Sequence, residues 1–259
     1  MVAAAPLARW RVAAEPRQFG WALEISLDVE WAHAIAPAAH ILLVEAKSNS
    51  FANPMAAEDY AKAHAQYVSN SWGSGEFSGE GGYDSHFFQP GVSFFASSGD
   101  RSGAVEYPSA SAKVISVGGT SLHFDSTGAF TGETAWSSGG GRCSLYETAT
   151  GAQQALATFS QVGCGAKRRT PDVSLDADPA SGVAVYDSTS YQGQSGWFTV
   201  GGTSSCPMWA ARSADAGAVV NSSYVYGSTI TFRDVTSGSN GHPALIGYDL
   251  ATGLGSWVG

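Results

Sequence analysis

No apolar run in this chain approaches the roughly 20 residues that a membrane-crossing helix needs, so no membrane partner is expected. Charge is scarce as well. Asp, Glu, Lys and Arg make up 14% of the 259 residues, against about 25% in an average chain. The 13 basic residues form no run longer than Lys167-Arg168-Arg169 and the net charge is −9, which argues against a nucleic-acid partner. Residues 1–15 (MVAAAPLARWRVAAE) lack the continuous apolar core of a signal peptide, because Arg9 and Arg11 interrupt it. Either the export signal is missing or the chain is part of a precursor. There is no internal repeat and no low-complexity linker, so one domain is expected. Only three cysteines occur. Cys143 and Cys164 flank a polar loop and could bridge; three reduced thiols are an equal alternative on composition alone.

What is present is apolar and small. Hydrophobic residues reach 44%, with 32 glycines and 8 tryptophans. That is enough for a sizeable core under a Gly/Ser-rich, weakly charged surface, as suits a secreted enzyme. Residues 20–36 predict a helix with Trp21, Ile25, Ala32 and Ile35 as its apolar stripe, stopped by Pro37. His40–Ala46 (HILLVEA) predicts a buried strand, and residues 54–66 a second helix. Short strands are expected at Val68–Trp72, Gly91–Ser97 and Lys113–Val117. Strands alternating with helices predict an α/β fold, a parallel sheet covered on both faces. From 120 to 200 short β-pieces and Gly/Ser turns suggest hairpins around a site. A helix is expected over 204–220 and loops over 230–257.

The chemistry centres on Gly201-Gly202-Thr203-Ser204. Glycines that permit a tight turn place a hydroxyl where a helix begins, a setting for a nucleophilic serine. Such a serine needs a base, usually a histidine held by an aspartate. None of the six histidines stands in a His-Gly-Thr context. Glu24 and Asp28 are instead four apart on the first helix, hence on one face. Two half-buried carboxyls cannot both ionise cheaply, so one keeps its proton into a higher pH range. Such a carboxyl can take the serine proton and return it to a leaving amine. A second Gly-Gly-Thr-Ser, Gly118–Ser121, runs into a strand-like Leu-His-Phe-Asp and is the weaker candidate. Asp100 ends Ser98-Gly-Asp at the carboxyl end of a strand, where sites gather. Protonated, it could hydrogen-bond an oxyanion. Asp234 and Asp249 flank a Gly/Ser/Asn loop; with loop carbonyls they would suit calcium, and two turn aspartates explain them equally.

In order along the chain, these motifs resemble the sedolisin family of serine-carboxyl peptidases. They are Glu24-x-x-x-Asp28, Ser71-Trp-Gly, Ser98-Gly-Asp100, Glu133-Thr-Ala-Trp136, Pro171-Asp-Val-Ser, Ala177-Asp-Pro179, Gly182-Val-Ala-Val-Tyr-Asp187, Gly202-Thr-Ser204, Asp234-Val-Thr-Ser-Gly-Ser-Asn-Gly and Asp249-x-x-Thr-Gly-Leu-Gly255. The resemblance runs from Trp21 to Trp257 and makes residues 21–259 a catalytic domain of subtilisin-like fold, with 1–20 an extension or remnant of a preceding segment. By position it implies Ser204 as nucleophile, Glu24 as general base and acid, Asp28 as the residue orienting Glu24, and Asp100 as oxyanion partner. It implies one calcium ion on the carboxylates of Asp234 and Asp249 and the carbonyls of Val235, Leu245 and Gly247. It also implies a Cys143–Cys164 disulfide, Cys206 free, secretion, a monomer, and peptides or denatured proteins as substrates. Acid endopeptidase activity is the expected function, with tripeptidyl-peptidase activity or a catalytically impaired remnant as alternatives. The chain departs from the pattern in three places. Ser204 and Pro207 are separated by two residues rather than three, which turns the following helix by about 100°. Leu245 stands where the family has glycine. The strand and helix expected ahead of the first helix, and the pro-domain, are absent from this sequence.

Overall fold

The computed structural model describes residues 19–227 and 230–258; the reading of residues 1–20 as an extension lies outside them except for Phe19 and Gly20, which open the first helix. A seven-stranded sheet organises the rest. Its strands are β1 (Tyr67–Asn70), β2 (Ser93–Ser97), β3 (Ile115–Phe124), β4 (Phe130–Ala135), β5 (Val173–Asp176), β8 (Phe232–Arg233) and β9 (Ser256–Trp257). β6 (Val183–Tyr191) and β7 (Gln194–Val200) form a separate hairpin. The spatial order is β1-β2-β3-β5-β9-β8, with β4 beside β3. β1, β2, β3, β5 and β9 run parallel, while β4 and β8 pair antiparallel.

Alternation along β2 explains why it is wholly buried. Successive side chains point to opposite faces. Phe94 and Ala96 join a cluster with Met55 and Ala61 of α2 (Ala52–His64), and Phe95 joins one with Trp209 and Ala210 of α3 (Cys206–Asp215). Helices thus cover both faces, as the sequence predicts. α1 (Phe19–Ile35) packs on the β6–β7 hairpin through Leu23, Leu27 and Trp31 against Val183, Val185, Phe198 and Val200. Two polar bonds fix the same contact. Trp31 Nε1 donates to Ala184 O at 2.9 Å, and Tyr186 N donates to Glu30 Oε2 at 3.0 Å. The hairpin turns on Gln192-Gly193, both at positive φ (50° and 83°), the geometry of a two-residue loop matched to strand twist.

Four local expectations are corrected. His40–Ala46 forms no strand; Ile41–Val44 are half-buried with a single bridge position at Val44, because an apolar run specifies burial and not a ladder partner. The buried face of α1 is Leu23–Leu27 rather than the Trp21–Ile25 stripe, and Trp21 is exposed. In α2, where the apolar residues in step along the sequence are Ala56, Tyr60, Ala63 and Tyr67, the helix likewise buries Met55, Glu58 and Ala61 instead. Apolar residues surround much of α1, so periodicity alone does not choose a face and the hairpin does. The helix expected over 204–220 is a 3-10 turn, Thr203–Ser205, followed by α3, which ends at Asp215. Cys143 and Cys164 form the disulfide, closing a 21-residue separation, and Cys206 is free and buried. Such a loop closure contributes about 3 kcal/mol by restricting the unfolded chain.

The Pro171-Asp-Val-Ser motif serves the core. Asp172 accepts from both Arg168 Nη1 (2.7 Å) and Nη2 (2.5 Å), from Ser116 N (2.7 Å) and from Tyr226 Oη (2.6 Å). Among the described residues, Glu58, Glu80 and Glu147 are in no such salt bridge. Burial raises Glu58, on α2, to about 8, with the Asn70 amide as its partner. It also raises Glu80 to about 8 and Glu147 to about 7, and the negative charge of Glu76 adds to both. Such groups stay protonated in the folded chain between their ordinary value near 4.5 and their raised one, while the unfolded chain releases the proton. Their contribution to stability is therefore full below about pH 4.5 and is lost as pH climbs towards about 8. The thermal midpoint should be several degrees lower at pH 8 than at pH 5, with a smaller difference in Glu80→Gln. A midpoint that rises towards pH 8 would contradict this.

Candidate functional site

The four candidate catalytic side chains come from three places and meet at one end of the sheet. Glu24 and Asp28 lie one turn apart on α1. Asp100 follows the carboxyl end of β2, and Ser204 lies in the 3-10 turn ahead of α3. Ser71, just past the carboxyl end of β1, joins them: its Oγ donates to Asp28 Oδ1 at 2.8 Å. Adjacent parallel strands thus deliver Ser71 and Asp100 to the same rim, where open α/β sheets place their ligands.

The turn at Ser204 depends on Gly202, whose φ is +111°. A Cβ there would stand 2.8 Å from Asp100 Oδ2, so glycine is needed for both conformation and space. Asp100 Oδ1 accepts from Thr203 N (2.7 Å) and Thr203 Oγ1 (2.9 Å), and Thr203 Oγ1 in turn accepts from Gly99 N (2.9 Å). Thr203 therefore locks the loop after β2 to the serine turn. Sequence reasoning missed Thr203 and Ser71. Their signal was position, each next to a predicted site residue at a strand or helix end. The shortened Ser204–Pro207 spacing leaves Ser204 beside Glu24, with Pro207 in the first turn of α3, where a missing N–H costs nothing.

Burial raises Glu24 from the usual carboxylate range to about 7; the Ser204 hydroxyl pulls it down and the Asp100 charge pushes it up. Ser204 is near enough to exert that pull without a hydrogen bond of ordinary geometry, and Glu24 Oε1 is buried with no partner. Asp28 is held well above its ordinary value by burial and then by the charge of Glu24, with the Ser71 bond opposing both. Two pockets meet at Ser71 and Ser204. One, of about 270 Å³, is lined by Gly20, Trp21 and Glu24. The other, of about 260 Å³, is lined by Trp72, Gly73, Asp100, Arg101, Glu106 and Thr203 among others. Among the described residues no histidine lines either. A serine with a buried, proton-holding carboxyl beside it and a second carboxyl across the cleft can exchange a proton with that carboxyl during acyl transfer.

Ser121 is not part of this site. It lies in β3, and its Oγ donates to Asp178 Oδ2 at 2.6 Å. The glycines before it serve packing: a Cβ on Gly118 would meet Pro171 at 2.5 Å, and one on Gly119 would meet Ala177 at 2.7 Å.

Asp234 and Asp249 converge on one stretch elsewhere. Gly247 N donates to Asp234 Oδ2 at 2.9 Å, and Leu245 N to Asp249 Oδ2 at 2.7 Å. Asp249 is buried and raised by that burial, and among the described residues no salt bridge reaches either carboxylate. Gly247 has φ +81°, whereas Leu245 is not at positive φ, so the side chain in place of glycine brings no backbone strain. Among the described residues no three His, Cys, Asp or Glu side chains gather as a metal site, so an ion here would rely on backbone carbonyls. The oxygen-only donor set fits a hard cation.

Comparison with known proteins gives one consistent answer. A family model described as the subtilase family matches residues 18–237. Sedolisin of Pseudomonas sp. (strain 101) is 32% identical over 179 residues, covering 59% of this chain and 29% of that protein. Kumamolisin of Bacillus sp. (strain MN-32) is 30% identical over 278 residues, covering 91% of this chain and 49% of that protein. The chain thus spans about half the length of kumamolisin and less of sedolisin. The solved structure of Pseudomonas sedolisin, a serine-carboxyl proteinase complexed with two molecules of pseudo-iodotyrostatin, superposes with a TM-score of 0.75 at 26% identity. The match covers 90% of this chain and 75% of that one.

Proposed function

The chain belongs to the subtilase family, and within it to the sedolisins, and on that premise we propose that it is an acid-active serine-carboxyl endopeptidase. The carrying observation is the buried carboxyl of Glu24, its Oε1 without a partner, next to Ser204 in a cleft that no histidine lines among the described residues. In this reading Ser204 Oγ attacks the scissile carbonyl while Glu24 takes its proton. Asp28, tied to Ser71, sets the orientation and charge of Glu24. Asp100 faces the oxyanion through Oδ2, the oxygen that Thr203 does not hold, and donates to it when that oxygen carries a proton. Glu24 then hands the proton to the leaving amine, and water discharges the acyl-enzyme by the same steps in reverse. The bridged Cys143–Cys164 pair suits an oxidising compartment, hence secretion.

Digestion of a denatured protein between pH 3 and 7, followed by mass spectrometry, tests this reading. Internal fragments support it. Stepwise release of tripeptides would make the chain a tripeptidyl-peptidase instead, and no products at any pH would make it a catalytically impaired relative.

One calcium ion is proposed at Asp234 and Asp249, with the carbonyls of Val235, Leu245 and Gly247. When bound it would offset the buried charge of Asp249 and pin residues 234–255; no chemical step passes through it. A chelator should lower the thermal midpoint and open that segment to proteolytic nicking, and added calcium should reverse both. If neither property responds, the site does not hold calcium.

A further inference from the structure

The short spacing between Ser204 and Pro207 puts a cysteine where α3 begins, and the mechanism does not use it. Removing one residue turns a helix by about 100°, so a different side chain meets the sheet in the first turn. In this chain that side chain is Cys206, which is wholly buried. It packs with Phe95 of β2 and with Trp209 in the next turn of α3.

The sulfur sits at a junction. Sγ is 2.8 Å from Ser69 Oγ, in β1. Ser97, the last residue of β2, has a buried hydroxyl with no hydrogen bond of ordinary geometry, yet near enough to the sulfur to pull its titration down. Side chains two apart on a strand share a face, so Ser97 is on the face of Phe95, which α3 covers. Ser69 precedes Ser71, the residue that holds Asp28, by two positions, and Ser97 precedes Asp100 by three. The charge of Asp28 also reaches the sulfur. One atom of the helix that follows Ser204 thus lies against both strands that carry the site. Burial pushes the thiol up to about 12, so it stays a neutral S–H while Glu24 titrates and is neither nucleophile nor base. An apolar side chain in its place would fill the space and leave the Ser97 hydroxyl facing hydrocarbon.

We propose that Cys206 is a positioning residue for the reaction: its thiol ties the first turn of α3 to β1 and β2 beside Asp28, and so holds Ser204 against Glu24 across the shortened spacing. The inference rests on the peptidase reading for its rates but not for the tie itself.

On a single peptide at the optimum pH, Cys206→Ala should lower kcat about tenfold and leave KM within about twofold, because binding does not need Ser204 in register. Cys206→Ser, which keeps a buried donor and acceptor at that position, should stay within about threefold of the wild type. Ser69→Ala should lower kcat as well, and the double variant Cys206→Ala with Ser69→Ala should be no worse than the poorer single one. In Cys206→Ala the acid limb should move to higher pH, because the pull of the Ser204 hydroxyl on Glu24 weakens. An alanine inserted after Ser205, which restores the wider spacing and turns Cys206 away from Ser69, should lower kcat too. A lower thermal midpoint with kcat and the acid limb unchanged in Cys206→Ala, additive losses in the double variant, or a gain in kcat on insertion overturns the proposal. Because Cys143 and Cys164 are bridged, Cys206 gives the chain a single S–H stretching band. That infrared band should move in Ser69→Ala; a band that stays in place overturns the tie whether or not any peptide is cut. A band that moves in a wild-type background that cuts no peptide supports the tie and refutes the peptidase reading alone.

Discussion

Ser204→Ala and Glu24→Gln should each reduce peptide hydrolysis by a factor on the order of 10⁴ or more. The two residues act as a unit, so either loss removes nucleophilic attack. Glutamine keeps the shape of Glu24 but can neither accept the serine proton nor return it. Desolvation makes the loss severe, because among the described residues no histidine lines the half-buried cleft as a substitute base. The double variant should be no worse than either single one, the signature of a shared step. Ser121→Ala is the control. It removes a hydrogen bond to Asp178, worth about 1 kcal/mol, and should leave turnover intact. Full activity in Glu24→Gln, or loss in Ser121→Ala with the fold preserved, would reassign the nucleophile or its base.

Activity should form a bell whose acid limb is the first proton lost by the Glu24–Asp28 pair and whose alkaline limb is the last, so that it is lost once Asp28 also ionises. Glu24 is raised to about 7 and Asp28 well above its ordinary value, both chiefly by burial. The charge of Glu24 adds to the rise of Asp28, so the two titrate as a pair and share one proton across the middle of the range. On the acid limb both carboxyls are protonated and Glu24 cannot act as base. On the alkaline limb the pair gives up its last proton, and two negative charges then oppose the developing oxyanion. Groups raised by burial also favour the folded state below their ordinary values and weaken it as pH climbs through the raised ones, so stability and activity fall together as the pair ionises. Rates of a single peptide measured from pH 3 to 9, with the thermal midpoint at each pH, separate the two causes. Activity that persists once both carboxyls of the pair have ionised is incompatible with this chemistry. Ser71→Ala removes the bond that opposes the rise of Asp28 and should shift the limbs without abolishing turnover.

Part of this was legible in one dimension. The four-residue spacing of Glu24 and Asp28 puts both on one helix face whatever the helix packs against. The glycines at 201 and 202 announce a turn ahead of Ser204, and alternating strand and helix patterns imply a parallel sheet with its site at the carboxyl ends. Two Gly-Gly-Thr-Ser copies could not be separated by their own residues, only by the segments downstream of them. Features beyond the reach of local pattern depended on partners distant in sequence. His40–Ala46 is apolar enough for a buried strand, yet a ladder needs an available edge, and the apolar run says nothing of one. The face of α1 that turns inward was decided by the hairpin more than 150 residues away, through Trp31 and Ala184. The nearness of Ser204 to Glu24, the lock of Thr203 on Asp100 and the contact of Cys206 with Ser69 are likewise tertiary. Sequence by itself determined which groups could do the chemistry, because residue type and helical or strand period are local properties. Packing decided which of them lost water and faced one another, because desolvation and charge proximity exist only once distant segments share a space.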